Sequence, residues 1–398
     1  MKVALINNIY PPYDRGGAEQ VVVKIVEGLL SAGHTVVMVT STPRNEEVDH
    51  HNNLTVYRIR PGNIFFYTTA SQHGIMSRFL WHLFDIGNIY AAYKIKKILE
   101  REKPDVVHTH NLMGLSFLVP WVIRQLSIRH VHTVHDVQLV EPSAMILKSQ
   151  ELSWRYNGFL TKVYVWIMKQ LIGSPDVVLS ASQFLRDFYA VRGFFPHSRI
   201  EVVRNPVTFT IGSVHLNAMS DNNIFRFIYV GQVEAHKGVA NLVRAFCSLV
   251  ENNVQLHIVG GGTQLDVIKT LAGNDKRITV YDRVDRKELP VLFSTMNMTV
   301  VPSLCYENSP SVIFESFACG VPVLASNIEG IAELIHEGEN GLTFEAGNEK
   351  VLQERLMWCM DHPKEISMMG IKTTQSLIGL SLSEYIVRLK NLYQANSF

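Results

Sequence analysis

Two carboxylates, Glu307 and Glu315, stand with seven residues between them, and Ser309-Pro310-Ser311 lies in that interval. Ser309 followed by Pro310 reads as a helix start, with Ser as the cap and Pro at the first helical position. The backbone N–H groups of Ser311 and Val312 then have no carbonyl upstream to bond, which makes a site for an anion such as phosphate. An ionised carboxylate only accepts hydrogen bonds, so acids flanking an anion site suit hydroxyl groups rather than more phosphate. A ligand carrying both a phosphate and a polyhydroxylated ring fits this stretch. Nucleotide sugars are such ligands.

A second set of polar residues gathers in the first half. Val106-Val107-His108-Thr109-His110 reads as a short buried strand with a polar end, and Arg129 to Val134 as another leading into His135-Asp136. Ligands of open parallel sheets sit beyond the carboxyl ends of the strands, where His108, His110, His135 and Asp136 are expected to collect. A single histidine is more often structural than functional; several at consecutive strand ends point to a site. No helical His spacing supports a metal. Gly16 and Gly17, before a helix, either let a ligand approach the backbone or simply make a tight connection.

These residues need a frame to hold them. Lys2 to Ile9 reads as a strand and Tyr10 to Gly17 as a Pro/Gly-rich loop. A helix with Ala18, Val21, Val22, Ile25, Val26, Leu29 and Leu30 on one face follows, then a strand from Thr35 to Thr40. That order is a parallel unit with a right-handed crossover. Leu54 to Ile59, Asp176 to Ser180 and Ile200 to Val203 are further strands, and Phe84 to Lys103 is one helix ending before Pro104. The second half alternates more regularly, with strands at 225–230, 255–259, 278–281, 298–302 and 321–325. Helices fall between and after them at 239–250, 264–271, 287–295, 310–319 and 328–336. This is an α/β chain of doubly wound, Rossmann-like domains. The expected division is an N-terminal domain at 1–206, a polar, turn-rich linker at 207–223, a C-terminal domain at 224–375 and a tail at 376–398. The tail is amphipathic through Tyr385, Ile386, Leu389, Leu392 and Tyr393, and is expected to pack back on the first domain.

Composition narrows the partners. The chain of 398 residues exceeds one ordinary core, and 37 Lys+Arg against 36 Asp+Glu give no global field for nucleic acid or an anionic membrane. The 4 cysteines are widely spaced in the second half, which suggests neither a disulfide framework nor a metal pair and points to a reducing cytosol. The N-terminal apolar run is interrupted by Asn7 and Asn8 and reads as a strand rather than a leader. No apolar run reaches membrane-spanning length. Between Val140 and Gly173, Trp154, Tyr156, Phe159, Tyr164 and Trp166 interleave with Arg155, Lys162 and Lys169. That is either a membrane-surface patch or a helix with its apolar side packed on the domain; the second reading is preferred because the segment runs straight into a strand.

The motifs taken together resemble the retaining glycosyltransferases of family 4. The most specific are Glu307 and Glu315 with Ala318-Cys319-Gly320-Val321-Pro322-Val323. Supporting them are Gly231 with Lys237-Gly238, Gly260-Gly261-Gly262, Gly16-Gly17-Ala18-Glu19, His132 to Asp136 and Glu339-Asn340-Gly341-Leu342. The resemblance spans nearly the whole chain. It implies the GT-B architecture, two Rossmann-like domains facing across a cleft with the C-terminal helix on the first, the N-terminal domain taking the acceptor and the C-terminal one the nucleotide sugar.

Residue by residue, the resemblance implies that Glu315 binds the ribose hydroxyls. Glu307, with the backbone of Asn308, Ser309, Pro310 and Ser311, holds donor sugar and diphosphate. Lys237 neutralises the departing diphosphate, Gly260 and Arg283 line the nucleotide, Gly17 approaches the diphosphate or the acceptor, and His135 faces the donor sugar. Gly16, His110 and Asp136 fall on the acceptor side. The family usually carries Arg after the glycine of its phosphate strand; Gln232 stands there, leaving charge to be shared with Arg204 or His236. No metal and no cofactor are implied, the nucleotide diphosphate sugar being the donor substrate, with UDP or GDP as the carrier. The acceptor is a glycan or lipid-linked glycan in surface polysaccharide or glycolipid biosynthesis, worked on in the cytoplasm at the inner membrane face, with peripheral membrane contact. Two other classes fit the same motifs: a non-catalytic nucleotide-sugar-binding partner of another transferase, and a nucleotide-sugar epimerase.

Overall fold

The structure is a computed structural model that describes residues 1–13, 16–207, 209, 224–282 and 284–395. Its contacts divide the chain into two units: residues 1–145, 152–206 and 382–398 form the first, and 146–151 with 207–381 the second.

The first unit is built on eight strands, β1 (Lys2–Ile6), β2 (Thr35–Ser41), β3 (Glu47–His51), β4 (Leu54–Ile59), β5 (Val106–Thr109), β6 (Arg129–Val134), β7 (Val177–Ser180) and β8 (Arg199–Val202). They run in the order β3-β4-β2-β1-β5-β6-β7-β8, all parallel except for β3, which pairs antiparallel with β4 at the edge. Burial on both faces explains the near-continuous apolar runs of β1 and β2. Its helices are α1 (Gly17–Ser31), α2 (Ile75–Ile86), α3 (Ile89–Glu102), α4 (Val119–Gln125), α5 (Trp154–Asn157), α6 (Phe159–Ile172) and α7 (Gln183–Ala190). The strand order reverses between β1 and β5, so the crevice at that point opens beside Asn7, Asn8 and the end of β5.

The second unit carries β9 (Phe225–Val230), β10 (Val254–Val259), β11 (Ile278–Tyr281), β12 (Met298–Val301), β13 (Val323–Ser326) and β14 (Gly341–Phe344). All pairs are parallel in the order β11-β10-β9-β12-β13-β14, and its reversal lies between β9 and β12. Around it lie α8 (Val239–Cys247), α9 (Leu265–Ala272), α10 (Leu289–Ser294), α11 (Ser311–Ala318), α12 (Glu349–Asp361) and α13 (Pro363–Thr373). The short segment 146–151 adds to this unit through a bridge from Leu147 to Cys305 and bonds from Lys148 N to Leu304 O (2.9 Å) and Tyr306 N to Ile146 O (2.9 Å).

The C-terminal helix α14 (Leu382–Gln394) packs on α1, burying Tyr385, Ile386, Leu389, Leu392 and Tyr393 in the core of the first unit, as its apolar stripe predicts.

Several expectations change. Phe84 to Lys103 is two helices rather than one, because Gly87 ends α2 and the Asn88 side chain caps α3 by accepting from Ala91 N at 2.9 Å. Residues 328–336 hold only a 3-10 turn at Ala332–Leu334, since Gly330 turns the chain with φ +82°. β3 and β14 were not expected as strands. The polar linker at 207–223 lies outside the described residues apart from Val207 and Phe209. In residues 140–173, α6 packs Met168 and Ile172 on the domain as the preferred reading has it, while Phe159, Leu160 and Trp166 at its start and middle face solvent.

Candidate active site

In the second unit, the ends of β9, β10 and β12 bring the expected donor residues together. After β9 the chain turns through Gly231 and Gln232 into a 3-10 turn, Ala235–Lys237, and then α8. Gly238 between them has φ +70°, and a Cβ there would run into the carbonyl oxygen of Pro302, so only glycine lets this turn lie against the end of β12. Leu304 N bonds to His236 O at 2.8 Å, tying the loop after β12 to the same turn. That tie is why Lys237 and Glu307, far apart in sequence, form an ion pair, with Ser303 donating to the same Glu307 oxygen at 3.0 Å.

Burial alone would lower the Lys237 pKa; the Glu307 carboxylate outweighs it, and the net is upward, so the ammonium stays charged. His236 moves the other way, lowered first by burial and then by Lys237. It is neutral at pH 7 and does not replace the charge that Gln232 lacks. The phenol of Tyr229 donates to Gln232 O at 2.6 Å, fixing the backbone at that position.

The helix start differs by one residue from the expected one. Pro310, not Ser309, is the residue that caps α11. The N–H groups of Ser311 and Val312 still open the first turn, and Glu315 lies on the second, almost fully buried. Ser316 is locked to Thr299 (2.7 Å) and Val321 O (2.7 Å), which fixes the roll of the helix and therefore where Glu315 points.

Arg283 lies outside the described residues. Arg286, from the same loop after β11, instead reaches Glu315 as an ion pair and stacks its guanidinium 5.6 Å from the Phe209 ring. The sequence reading passed over Arg286, because nothing in its spacing to Glu315 reveals a tertiary pair. It also passed over Gly330, where a Cβ would strike the carbonyl oxygen of Glu307 and so displace the loop. Gly260 follows β10, and the neighbouring Gly261 O accepts from Val233 N at 2.9 Å, placing the glycine loop alongside Gln232.

In the first unit, Gly16 caps α1 and Gly17 is its first residue. His110 Nδ1 and His135 Nε2 are 2.9 Å apart, and with His132, Asp136, Gln138 and Tyr189 they line a small open recess of about 20 Å³. Burial pulls His135 down to about 4 and holds His110 well below its ordinary value, so both rings are neutral at pH 7. The Asp136 carboxyl is pushed up to about 6, mainly by burial, although its Oδ1 accepts from Gln138 N at 2.8 Å. Glu19, in the first turn of α1, also raises it. His110 Nε2 and Asn8 Oδ1 are buried without hydrogen-bond partners, one at the end of β5 and one at the end of β1. Among the described residues, no group of three His, Cys, Asp or Glu side chains is arranged to hold a metal ion.

Comparison with known proteins agrees with this geometry. The family model described as Glycosyltransferase Family 4 matches residues 15–210, and that described as Glycosyl transferases group 1 matches residues 218–376. An uncharacterized 42.6 kDa protein in the cps region of Klebsiella pneumoniae is 28% identical over 343 residues, covering 84% of this chain and 87% of that one. A glycogen synthase of Mycobacterium tuberculosis is 25% identical over 356 residues, covering 86% and 82%. Among solved structures, the sucrose-phosphate synthase of Thermosynechococcus elongatus superposes with a TM-score of 0.76 at 20% identity over 99% of this chain and 98% of that one. Anabaena HepE in complex with UDP gives 0.70 at 15% identity over 98% and 99%. At such identities these two structures share the fold, the GT-B type of two parallel α/β units.

Proposed function

The chain belongs to the glycosyltransferases of group 1 and family 4, and from that membership we propose that it moves a hexose-type sugar from a UDP- or GDP-linked donor to a glycan or lipid-linked glycan acceptor. The observation that carries the reading is the Lys237–Glu307 pair set at the start of α11, with Glu315 buried one turn further on. A cation and N–H groups for the diphosphate, with carboxylates for sugar and ribose hydroxyls, support this reading.

In this reading Glu315 accepts from the ribose hydroxyls and exchanges its Arg286 contact to do so. Glu307 accepts from hydroxyls of the donor sugar. The bond from the anomeric carbon to the β-phosphate oxygen breaks with its electron pair going to that oxygen. Lys237 and the N–H groups of Ser311 and Val312 stabilise the charge that develops there, the term that usually dominates such catalysis. The acceptor hydroxyl attacks on the same face and its proton passes to the leaving phosphate oxygen, which gives retention without an enzymatic nucleophile. His135 and Gly17 are assigned to the donor sugar and the diphosphate, and Gly16, His110 and Asp136 to the acceptor side. The reaction as drawn needs no metal and no cofactor.

The relative from a cps region supports a place in surface polysaccharide synthesis, and UDP in the complex of a structural neighbour supports a uridine carrier. A thermal-shift screen of uridine-, guanosine- and adenosine-diphosphate sugars tests the reading. A true donor at about 100 times its Kd adds about 2.7 kcal/mol of stability. No shift with any of them, together with no transfer, would sink it.

A further inference from the structure

The segment 146–151 is held by the second unit, although the chain on either side of it belongs to the first. Leu147 forms a bridge with Cys305, flanked by bonds from Lys148 N to Leu304 O and from Tyr306 N to Ile146 O, both 2.9 Å. Ile146 and Cys305 are buried there. This strap thus bonds the residues on both sides of Cys305, and Tyr306 is followed directly by Glu307. Glu307 and Lys237 are the pair on which the donor assignment stands.

The side chains repeat the connection. After the bridge the strap makes a 3-10 turn, Lys148–Gln150, with Gln150 N donating to Leu147 O at 2.9 Å. Residues three apart lie over one another in such a turn, and Lys148 Nζ is 3.0 Å from Glu151 Oε2. Lys148 also reaches Glu329 Oε1 at 2.5 Å, and the Tyr306 hydroxyl donates to Glu151 Oε2 at 2.5 Å. Glu329 O in turn accepts from Glu307 N at 3.4 Å, and Gly330 leaves no room for a Cβ against Glu307 O. Glu307 is therefore held from two sides, by Tyr306 before it and by the Glu329–Gly330 turn against its backbone. Lys148 reaches both, Glu329 directly and Tyr306 through Glu151. Burial alone would lower the Lys148 pKa; Glu329 and Glu151 outweigh it, so the ammonium stays charged.

Stability does not account for this network. The side chains of Lys148, Glu151 and Glu329 are 28% to 34% exposed, and ion pairs with that much access to water add little to folding. Geometry beside a reacting centre is another matter, because a misplacement of about 1 Å can cost about 10²-fold in rate. Glu315 is fixed separately, through the bonds of Ser316 to Thr299 and Val321 O. The strap and the ribose contact are thus separable.

We propose that Lys148, Glu151 and Glu329 are positioning residues of the donor site. They hold the loop 304–307 so that Glu307 meets the donor sugar and keeps the Lys237 ammonium at the diphosphate. Each acts through Tyr306 or the backbone of Glu307. The proposal rests on the assignment of Lys237 and Glu307 to the donor.

The test compares Lys148→Met and Lys148→Arg, each in the full chain, with the parent. Lys148→Met keeps the apolar stem and removes the charge. It is expected to melt with the parent and to show the parent's thermal shift with uridine or guanosine diphosphate. Its kcat, on the donor that a nucleotide-sugar screen identifies, falls by about tenfold. Lys148→Arg pairs with both carboxylates and restores most of that kcat. Hydrogen exchange of the 303–308 peptide, read without any substrate, rises in Lys148→Met and not in Lys148→Arg. A parent-like kcat in Lys148→Met overturns the proposal, as does failure of Lys148→Arg to restore it. Melting temperature and diphosphate shift falling along with kcat also overturn it, since the strap is then a general support. A parent that neither binds these diphosphates nor transfers a sugar overturns the proposed function instead, and the exchange alone then decides whether the strap holds the loop.

Discussion

Lys237 donates from Nζ to Oε1 of Glu307, joining the turn after β9 to the loop after β12 at the point where the strand order of the second unit reverses. The pair holds a charged ammonium next to the first turn of α11 before any ligand arrives. Preorganised charge of this kind acts in the transition state without reorganising at the moment of reaction. Lys237→Ala is therefore expected to lower kcat by about 10²–10³-fold with a smaller change in donor KM. Steady-state kinetics on the matched donor checks it; a change confined to KM would assign Lys237 to ground-state binding.

Arg286 and Glu315 make the second prediction. Glu315 is nearly buried, so its carboxylate depends on the guanidinium for compensation, while Arg286 itself is 38% exposed. Arg286→Ala removes this ion pair and is expected to lower the stability of the ligand-free protein by about 1–3 kcal/mol, the value for a lost buried partner rather than for a fully enclosed ion pair. Ribose hydroxyls that donate to Glu315 replace part of the missing interaction. The nucleoside-diphosphate-induced thermal shift is thus larger in Arg286→Ala than in the parent, and nearly absent in Glu315→Ala.

The glutamates were legible because they sit on a local frame: a strand end, Pro310 and an eight-residue helix fix their spacing in the chain itself. The same holds for α14, whose stripe of Tyr385, Ile386, Leu389, Leu392 and Tyr393 records a buried face. Arg286 and Gly330 were not legible, since their partners Glu315 and Glu307 are met only after the chain folds. The outward-facing apolar residues of α2, Phe79, Leu83 and Phe84 among them, were missed for a related reason. An apolar periodicity says that one face is distinct, but not whether it turns toward the core or toward solvent. The short edge strand β3, Glu-Val-Asp-His-His, carries too little apolar pattern to announce itself and is held by its ladder to β4.

His108 ties α14 to the first sheet. Its Nδ1 lies 2.7 Å from the Tyr393 hydroxyl and its Nε2 2.7 Å from Thr133 Oγ1, all fully enclosed. Tyr393→Phe keeps the ring packing but leaves one imidazole nitrogen unpaired, which is expected to destabilise the first unit by about 1–3 kcal/mol. Hydrogen exchange distinguishes this from a general loss of stability. Amides of β5, β6 and α14 lose protection together while those of the second unit keep theirs.

Acidification sets two groups of buried residues against each other. His108, His110, His130, His132 and His135 are all held below the ordinary imidazole value, chiefly by burial, with His132 near 3 and His135 near 4. Unfolded, each takes up a proton near pH 6.5, so between about 4 and 6.5 the unfolded chain binds more protons and stability rises with pH. Their contribution is fully present above about pH 6.5 and is lost on acidification. Asp85 is raised to about 7 and Asp136 to about 6, again by burial, so each holds a proton that the unfolded chain releases near pH 4. Their slope runs the other way, through about pH 4 to 7 for Asp85. The five imidazoles outweigh the two carboxyls, and the melting temperature falls as pH drops from about 6.5 to 4. Asp85→Asn keeps an acceptor oxygen for Gly114 N and removes one opposing slope. Its acid loss is steeper than the parent's by up to about 1.4 kcal/mol per pH unit. Melting followed by circular dichroism across this range compares the two proteins, and superimposable profiles would show that Asp85 is already ionised throughout.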